Sequence, residues 1–210
     1  LVEKVSFASF GDIDSLRSVI DEDTAFIILE PVQGESGIIV APDGFLQEVR
    51  KLCDEKGIIL IFDEIQAGLG RTGRLWAGEH WNTVPDILCL AKGIAGGVPM
   101  GATLVRPDIL ASISKGEHSS TFGGNPISCA AGIAALTAIT EDGLIENSKK
   151  MGELFKEGLE KLKEKHTMIR EIRGKGLMIG IELKFEVKNI LMELIEEGVL
   201  MLYSGRNILR

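Results

Sequence analysis

Residues 58–64 read Ile58-Ile59-Leu60-Ile61-Phe62-Asp63-Glu64: five apolar residues without a polar break, then two acids. A strand with one wet face alternates apolar and polar residues, so this unbroken run predicts a strand buried on both faces, as in a parallel sheet covered by helices. Toward the N-terminus, Asp43 to Lys56 has the apolar spacing of a helix, opened by Pro42 with Asp43 and stopped at Gly57. Before it, Ala25 to Leu29 is a second short apolar run. Strand, helix and strand together form a βαβ unit, the repeating piece of an α/β fold.

Toward the C-terminus, Asp86 to Leu90 and Ala102 to Val105 predict two further strands, flanking a glycine-rich loop from Gly93 to Gly101. Pro126 to Thr140 predicts a helix of small residues, and Leu144 to Lys165 a charged amphipathic one. Met178 to Leu183 reads as a strand and Lys188 to Glu197 as a last helix. Val199 to Tyr203 and Asn207 to Arg210 read as a strand pair around Ser204-Gly205. Composition shifts toward Lys and Glu in the middle of this region, placing a boundary between Gly143 and Glu171. The expected division is 1–143, part of a large domain, and 144–210, a linking helix with part of a smaller α+β domain.

The 210 residues are 45% hydrophobic and 26% charged, the balance of a globular protein with a substantial core. A formal charge of -8 opposes a nucleic-acid role, which needs clustered Lys and Arg. Cys53, Cys89 and Cys129 are odd in number and far apart in apolar stretches, so buried free thiols in a reducing cytoplasm are expected rather than a disulfide or a metal site. His80, His118 and His166 lack zinc-ligand spacing, and no metal is expected. No apolar run approaches the ~20 residues that span a bilayer, and Leu1 to Phe10 lacks the pattern of a signal peptide, so no membrane association is expected.

Asp63 falls at the carboxyl end of its strand, where open α/β sheets bind ligands. An acid there also serves as a loop anchor or helix cap, which by itself is the plainer reading. Lys92, in Ala91-Lys92-Gly93, follows the next parallel strand and would emerge at the same edge, where partial desolvation makes an amine able to attack a carbonyl. An amine and a carboxylate at one edge suit an aldehyde cofactor with a cationic ring nitrogen: covalent capture at one end, stabilised protonation at the other. Between them, Gly68-Leu69-Gly70-Arg71-Thr72-Gly73 satisfies the G-x-G-x-x-G pattern of dinucleotide sites. It stands too far past the strand, and Asp86, the acid at about the right distance, begins the next strand instead of ending it, so dinucleotide binding ranks well below the Schiff-base reading.

Five ordered motifs carry a family resemblance: Glu30-Pro31-Val32-Gln33-Gly34-Glu35, Leu60-Ile61-Phe62-Asp63-Glu64-Ile65-Gln66, Gly70-Arg71-Thr72-Gly73, Leu90-Ala91-Lys92-Gly93 and Ser120-Thr121-Phe122-Gly123-Gly124-Asn125-Pro126. The chain resembles the class III aminotransferases of fold type I, especially the acetylornithine and ornithine branch. The resemblance implies a mainly parallel sheet with helices on both faces, and pyridoxal 5'-phosphate as cofactor. It makes Lys92 the Schiff-base lysine, pairs Asp63 with the ring nitrogen and brings Gln66 to the phenolic oxygen. Thr121, with Ser120, would reach the cofactor phosphate of the neighbouring subunit in a homodimer. Glu35 would lie near the substrate carboxylate and Arg210 would clamp it, while Glu30 orients the loop before Pro31.

The reaction implied moves an amino group from an ω-amino donor, such as N-acetylornithine, ornithine or a lysine-pathway analogue, to 2-oxoglutarate. A 4-aminobutyrate transaminase or an amino-acid racemase on the same framework stays open, as does an inactive fragment. The match begins partway into the family's large domain and stops before the C-terminal domain is complete. The family's glycine-threonine phosphate loop, stacking aromatic and donor-side arginine are therefore expected outside this chain.

Overall fold

The computed structural model describes residues 3–210; Leu1 and Val2, the start of the expected large-domain portion, lie outside the described residues. The helices are α1 (Ile13–Val19), α2 (Phe45–Lys56), α3 (Pro107–Leu110), α4 (Pro126–Glu141), α5 (Leu144–Lys165) and α6 (Lys188–Glu196). The strands are β1 (Phe26–Leu29), β2 (Val32–Gln33), β3 (Ile39–Val40), β4 (Ile59–Asp63), β5 (Ile87–Leu90), β6 (Ala102–Val105), β7 (Ile169–Lys175), β8 (Met178–Leu183), β9 (Tyr203–Ser204) and β10 (Ile208–Leu209).

The first sheet has the order β1-β4-β5-β6, with β1, β4 and β5 parallel and β6 antiparallel to β5. This is the expected α/β architecture, and it brings the carboxyl ends of β1, β4 and β5 to one edge. Helix α2 begins two residues later than Pro42-Asp43 suggested. A turn closes first, from the Phe45 N–H to the Pro42 carbonyl (3.2 Å), and Gly44 at φ +83° then serves as the cap. Gly57 ends the helix in the left-handed region, as expected.

Burial in the first sheet alternates where the unbroken apolar runs implied cover on both sides. Ile27, Leu60, Phe62, Leu88 and Leu90 pack in the core with Phe45, Leu46 and Val49 of α2. The opposite face is more open: Phe26 and Ile28 are 48% and 55% exposed, and Ile59, Ile61 and Ile87 are half-buried. The packing of α2 on the Leu60 side explains the difference.

The second sheet, β7-β8-β10-β9, is antiparallel throughout. Strand β7 escaped the sequence reading because Arg170, Glu171, Arg173 and Lys175 break its apolar pattern. It owes its place to pairing with the apolar β8, across an irregularity between Ile169 and Glu171. The β2–β3 hairpin was likewise too short to signal itself. The terminal strand pair is shorter than expected, yet Leu202 and Arg210 still exchange both backbone hydrogen bonds, at 3.0 and 2.8 Å. Arg210 is thus anchored by its main chain.

A second core gathers Leu159, Ile172, Ile181, Leu183, Val187 and Leu209 around this sheet. The loop Gly70 to Gly73 joins the two halves. Its Arg71 carbonyl accepts from the Ser148 hydroxyl of α5 and from the Leu177 N–H, both at 3.0 Å. Gly176, at φ +52°, lies so close to the Thr72 backbone that a side chain would strike it. Among the described residues no single helix is long and apolar enough to cross a membrane.

Candidate active site

Three parallel strands deliver three charged residues to one edge: Glu30 just past β1, Asp63 at the end of β4 and Lys92 just past β5. Asp63 Oδ1 accepts the Ile65 N–H at 3.0 Å, so one oxygen anchors the following loop, as the plainer reading supposed. The other has no hydrogen-bond partner among the described residues. Glu30 Oε2 accepts the Gly34 N–H at 2.9 Å and so holds the turn that carries Glu35. Burial pushes the Glu30 carboxyl above its usual range; the Gly34 bond opposes this, the charge of Asp63 adds to it, and that of Lys92 works against it.

Lys92 sits at φ +50° at the start of a 3-10 turn, Lys92–Ala95. It is exposed, where partial desolvation was expected, because the turn carries it beyond the buried end of β5. A cavity of about 630 Å³ opens between the loops after β4 and β5 and the second sheet. Its polar lining includes Gln66, Arg71, Lys92 and Arg210, and Ile38 and Leu69 add to its apolar wall. Ile38 and Leu69 share the left-handed backbone of Lys92, at φ +57° and +58°. For non-glycine residues such a conformation costs about 1–3 kcal/mol each and tends to gather at ligand sites. Here three of them surround one cavity. Asp63 is not part of its lining but stands beside it, paired in register with Cys89.

A hydrogen-bonded chain ties together segments far apart in sequence. Gln66 Nε2 donates to Glu35 Oε1 at 3.0 Å, and Arg210 Nη2 donates to Glu35 Oε2 at 2.8 Å. The Gln66 amide lies directly over Gly34, where any side chain would collide with it. The Ser204 hydroxyl donates to the Glu35 carbonyl. Arg210 foremost, then Gln66, hold the Glu35 carboxyl below the usual carboxylate range. The Arg210 side chain is only 13% exposed, and its Nε is buried without a partner. That leaves a guanidinium on the cavity wall with one occluded donor unmet.

The structure therefore brings Gln66, Lys92 and Arg210 to one cavity, with Glu35 bonded to two of them and Asp63 alongside. Ser120 and Thr121 do not join them: both lie in the exposed loop between α3 and α4, away from the lining. The G-x-G-x-x-G stretch opens no helix; it forms successive turns whose backbone holds α5 and the β7–β8 turn. Asp86 is a structural hub, accepting from the Leu60 N–H at 2.8 Å, Arg50 at 2.9 Å and Arg106 at 2.6 Å. Sequence reasoning assigned no task to Glu64, which is 1% exposed and accepts the N–H groups of Ala77 and Gly78 at 2.6 and 2.9 Å. It locks the chain that returns from the site, and burial, against those two bonds, pushes its carboxyl up to about 7. Its only signal in the sequence was adjacency to Asp63. Among the described residues no group of three or more His, Cys, Asp and Glu side chains is disposed to hold a metal ion.

Comparison with known proteins gives one consistent result. The profile of the family described as Aminotransferase class-III matches residues 4–210. The acetylornithine aminotransferase of Caldanaerobacter subterraneus subsp. tengcongensis is 45% identical over 211 residues, covering 100% of this chain and 53% of that protein. That of Methanocaldococcus jannaschii is 47% identical over 206 residues, covering 97% and 51%. A solved structure of ornithine aminotransferase from Toxoplasma gondii, with partial occupancy of PLP at its active site, superposes with a TM-score of 0.92 at 37% identity, covering 96% of this chain and 49% of that one. The chain spans about half the length of the curated relatives it matches.

Proposed function

Because the chain belongs to the class III aminotransferase family, we propose that the protein it is part of transfers the terminal amino group of an ω-amino donor, N-acetylornithine, ornithine or a lysine-pathway analogue, to 2-oxoglutarate, using pyridoxal 5'-phosphate. The observation that carries this reading is the delivery of Glu30, Asp63 and Lys92 to one sheet edge by adjoining parallel strands, beside a cavity lined by Lys92 and Arg210. The donor set fits the cofactor: an amine for its aldehyde and a carboxylate oxygen free for a protonated ring nitrogen.

When bound, the cofactor supplies an electron sink for the carbon that loses its proton. Lys92 Nζ would hold the cofactor by its aldehyde carbon and, once freed by substrate, would carry the proton between the substrate's amine-bearing carbon and that aldehyde carbon. Asp63 would keep the ring nitrogen protonated, and Gln66 would offer its amide N–H to the phenolic oxygen in place of Glu35. Arg210 binds the substrate carboxylate through its planar fork, which the carboxylate reaches by replacing Glu35.

The same reading makes the parent a cytoplasmic homodimer, with Thr121 and Ser120 reaching the partner's cofactor phosphate. The exposed loop at Thr121, with Phe122 82% exposed and Ile127 and Ile133 of α4 76% and 68% exposed, supports a surface that another copy covers. The unpaired Cys53, Cys89 and Cys129 support a reducing compartment. Two separate hydrophobic cores support a division near Gly143.

The test is to assay the full-length protein with 2-oxoglutarate and a panel of ω-amino donors. Glutamate is the expected product; a racemase yields none. Borohydride should fix the cofactor on the peptide containing Lys92, and labelling at Lys115 or Lys175 instead overturns the assignment.

A further inference from the structure

Asp63, Cys89 and Thr103 form a row across β4, β5 and β6, Asp63 paired in register with Cys89 and Cys89 with Thr103. Paired residues on neighbouring strands project to the same face with side chains about 5 Å apart. Cys89 is therefore the neighbour that flanks Asp63 on the β5 side, three residues before Lys92. The other two thiols stand elsewhere: Cys53, on α2, is wholly buried in the core, and Cys129 lies on α4. The mechanism above gives Cys89 no task.

We propose that Cys89 is a positioning residue for Asp63: its small, uncharged side chain walls the carboxylate on one side, so that the oxygen not held by the Ile65 N–H stays free for the cofactor's ring nitrogen. The inference rests on the aminotransferase reading. A thiol suits the task because it is a weak hydrogen-bond partner, unlike a hydroxyl or an amide, and competes little for that oxygen. It also stays neutral beside the acid. Burial pushes its pKa up, the charge of Asp63 pushes it further, and the Thr103 hydroxyl offsets only part of this. An acid in its place would set two carboxylates side by side, and one of them would be driven to protonate.

Two measurements on the parent holoenzyme test this. In the first, N-ethylmaleimide labelling is mapped by peptide mass spectrometry with and without pyridoxal 5'-phosphate. Bound cofactor is expected to slow labelling of Cys89 by about tenfold or more, leaving Cys129 unchanged. In the second, visible absorbance gives cofactor dissociation constants for Cys89→Asp and the uncharged, equally sized Cys89→Asn. The first variant is expected to bind about tenfold or more weakly than the second, which separates charge at Asp63 from bulk. Borohydride fixation runs in parallel. If Lys92 is fixed but Cys89 labels equally in both conditions, or the two variants bind alike, the positioning role is overturned and the aminotransferase reading stands. If Lys92 is not fixed, both fall.

Discussion

Two aspartates on adjoining parts of one sheet do opposite work. Asp63 ends β4 with one oxygen free, whereas Asp86, just before β5, is 6% exposed and spends its carboxylate on Leu60, Arg50 and Arg106. Asp63→Ala is expected to lower turnover of the parent enzyme by orders of magnitude while leaving its circular dichroism nearly native; substantial residual turnover would sink the ring-nitrogen role. Asp86→Asn should instead destabilise the fold by about 1–3 kcal/mol, because it leaves the mostly buried Arg50 guanidinium with only its exposed partner Asp54. Burial raises the Asp86 pKa, but the Leu60 N–H and the two arginines outweigh it, and the net shift is downward from 3.8. With the folded value below the unfolded one, this stabilisation is fully present above pH 3.8 and is lost as pH falls through the folded value. Thermal melts should therefore show a large gap between wild type and Asp86→Asn at neutral pH that narrows below pH 3.8.

At the scale of elements, glycines set how closely α5 and the β7–β8 turn approach the loop after β4. Gly176 has a left-handed φ of +52° and its Cα hydrogens face the Thr72 backbone, so both conformation and space exclude a side chain. Gly176→Ala is expected to cost about 1–3 kcal/mol. Gly158, in the interior of α5, has nothing within 4 Å of an added Cβ. Gly158→Ala should stabilise by up to about 1 kcal/mol through helix propensity alone. Denaturant melts of the two variants check the contrast; equal effects would mean that the loop–turn contact does not join the halves.

For the whole molecule, α4 is the outlier: its sequence carries no charge before Glu141, yet only Ser128 and Gly132 of its 16 residues are buried. Ile133→Glu on this helix is expected to dissociate the homodimer proposed for the parent, read as a fall in mass by sedimentation equilibrium; an unchanged mass would remove α4 from the proposed interface. The βαβ core, the helix from Leu144 to Lys165 and the strand-end positions of Asp63 and Lys92 at one edge were legible in the sequence, because apolar periodicity and strand-end position are local properties. The charged strand β7 was not, since only its partner β8 makes it a strand. Nor was the Gln66–Glu35–Arg210 chain, whose members meet from segments up to 175 residues apart. The same holds for Asp86 and the glycine-rich loop, which matched a nucleotide-binding pattern by spacing but are committed to internal hydrogen bonds. Sequence by itself determined which residue types stand at which strand ends. Tertiary structure decided which of their atoms are already bonded and which remain free for a ligand, because a buried donor or acceptor takes whatever partner the packing brings to it.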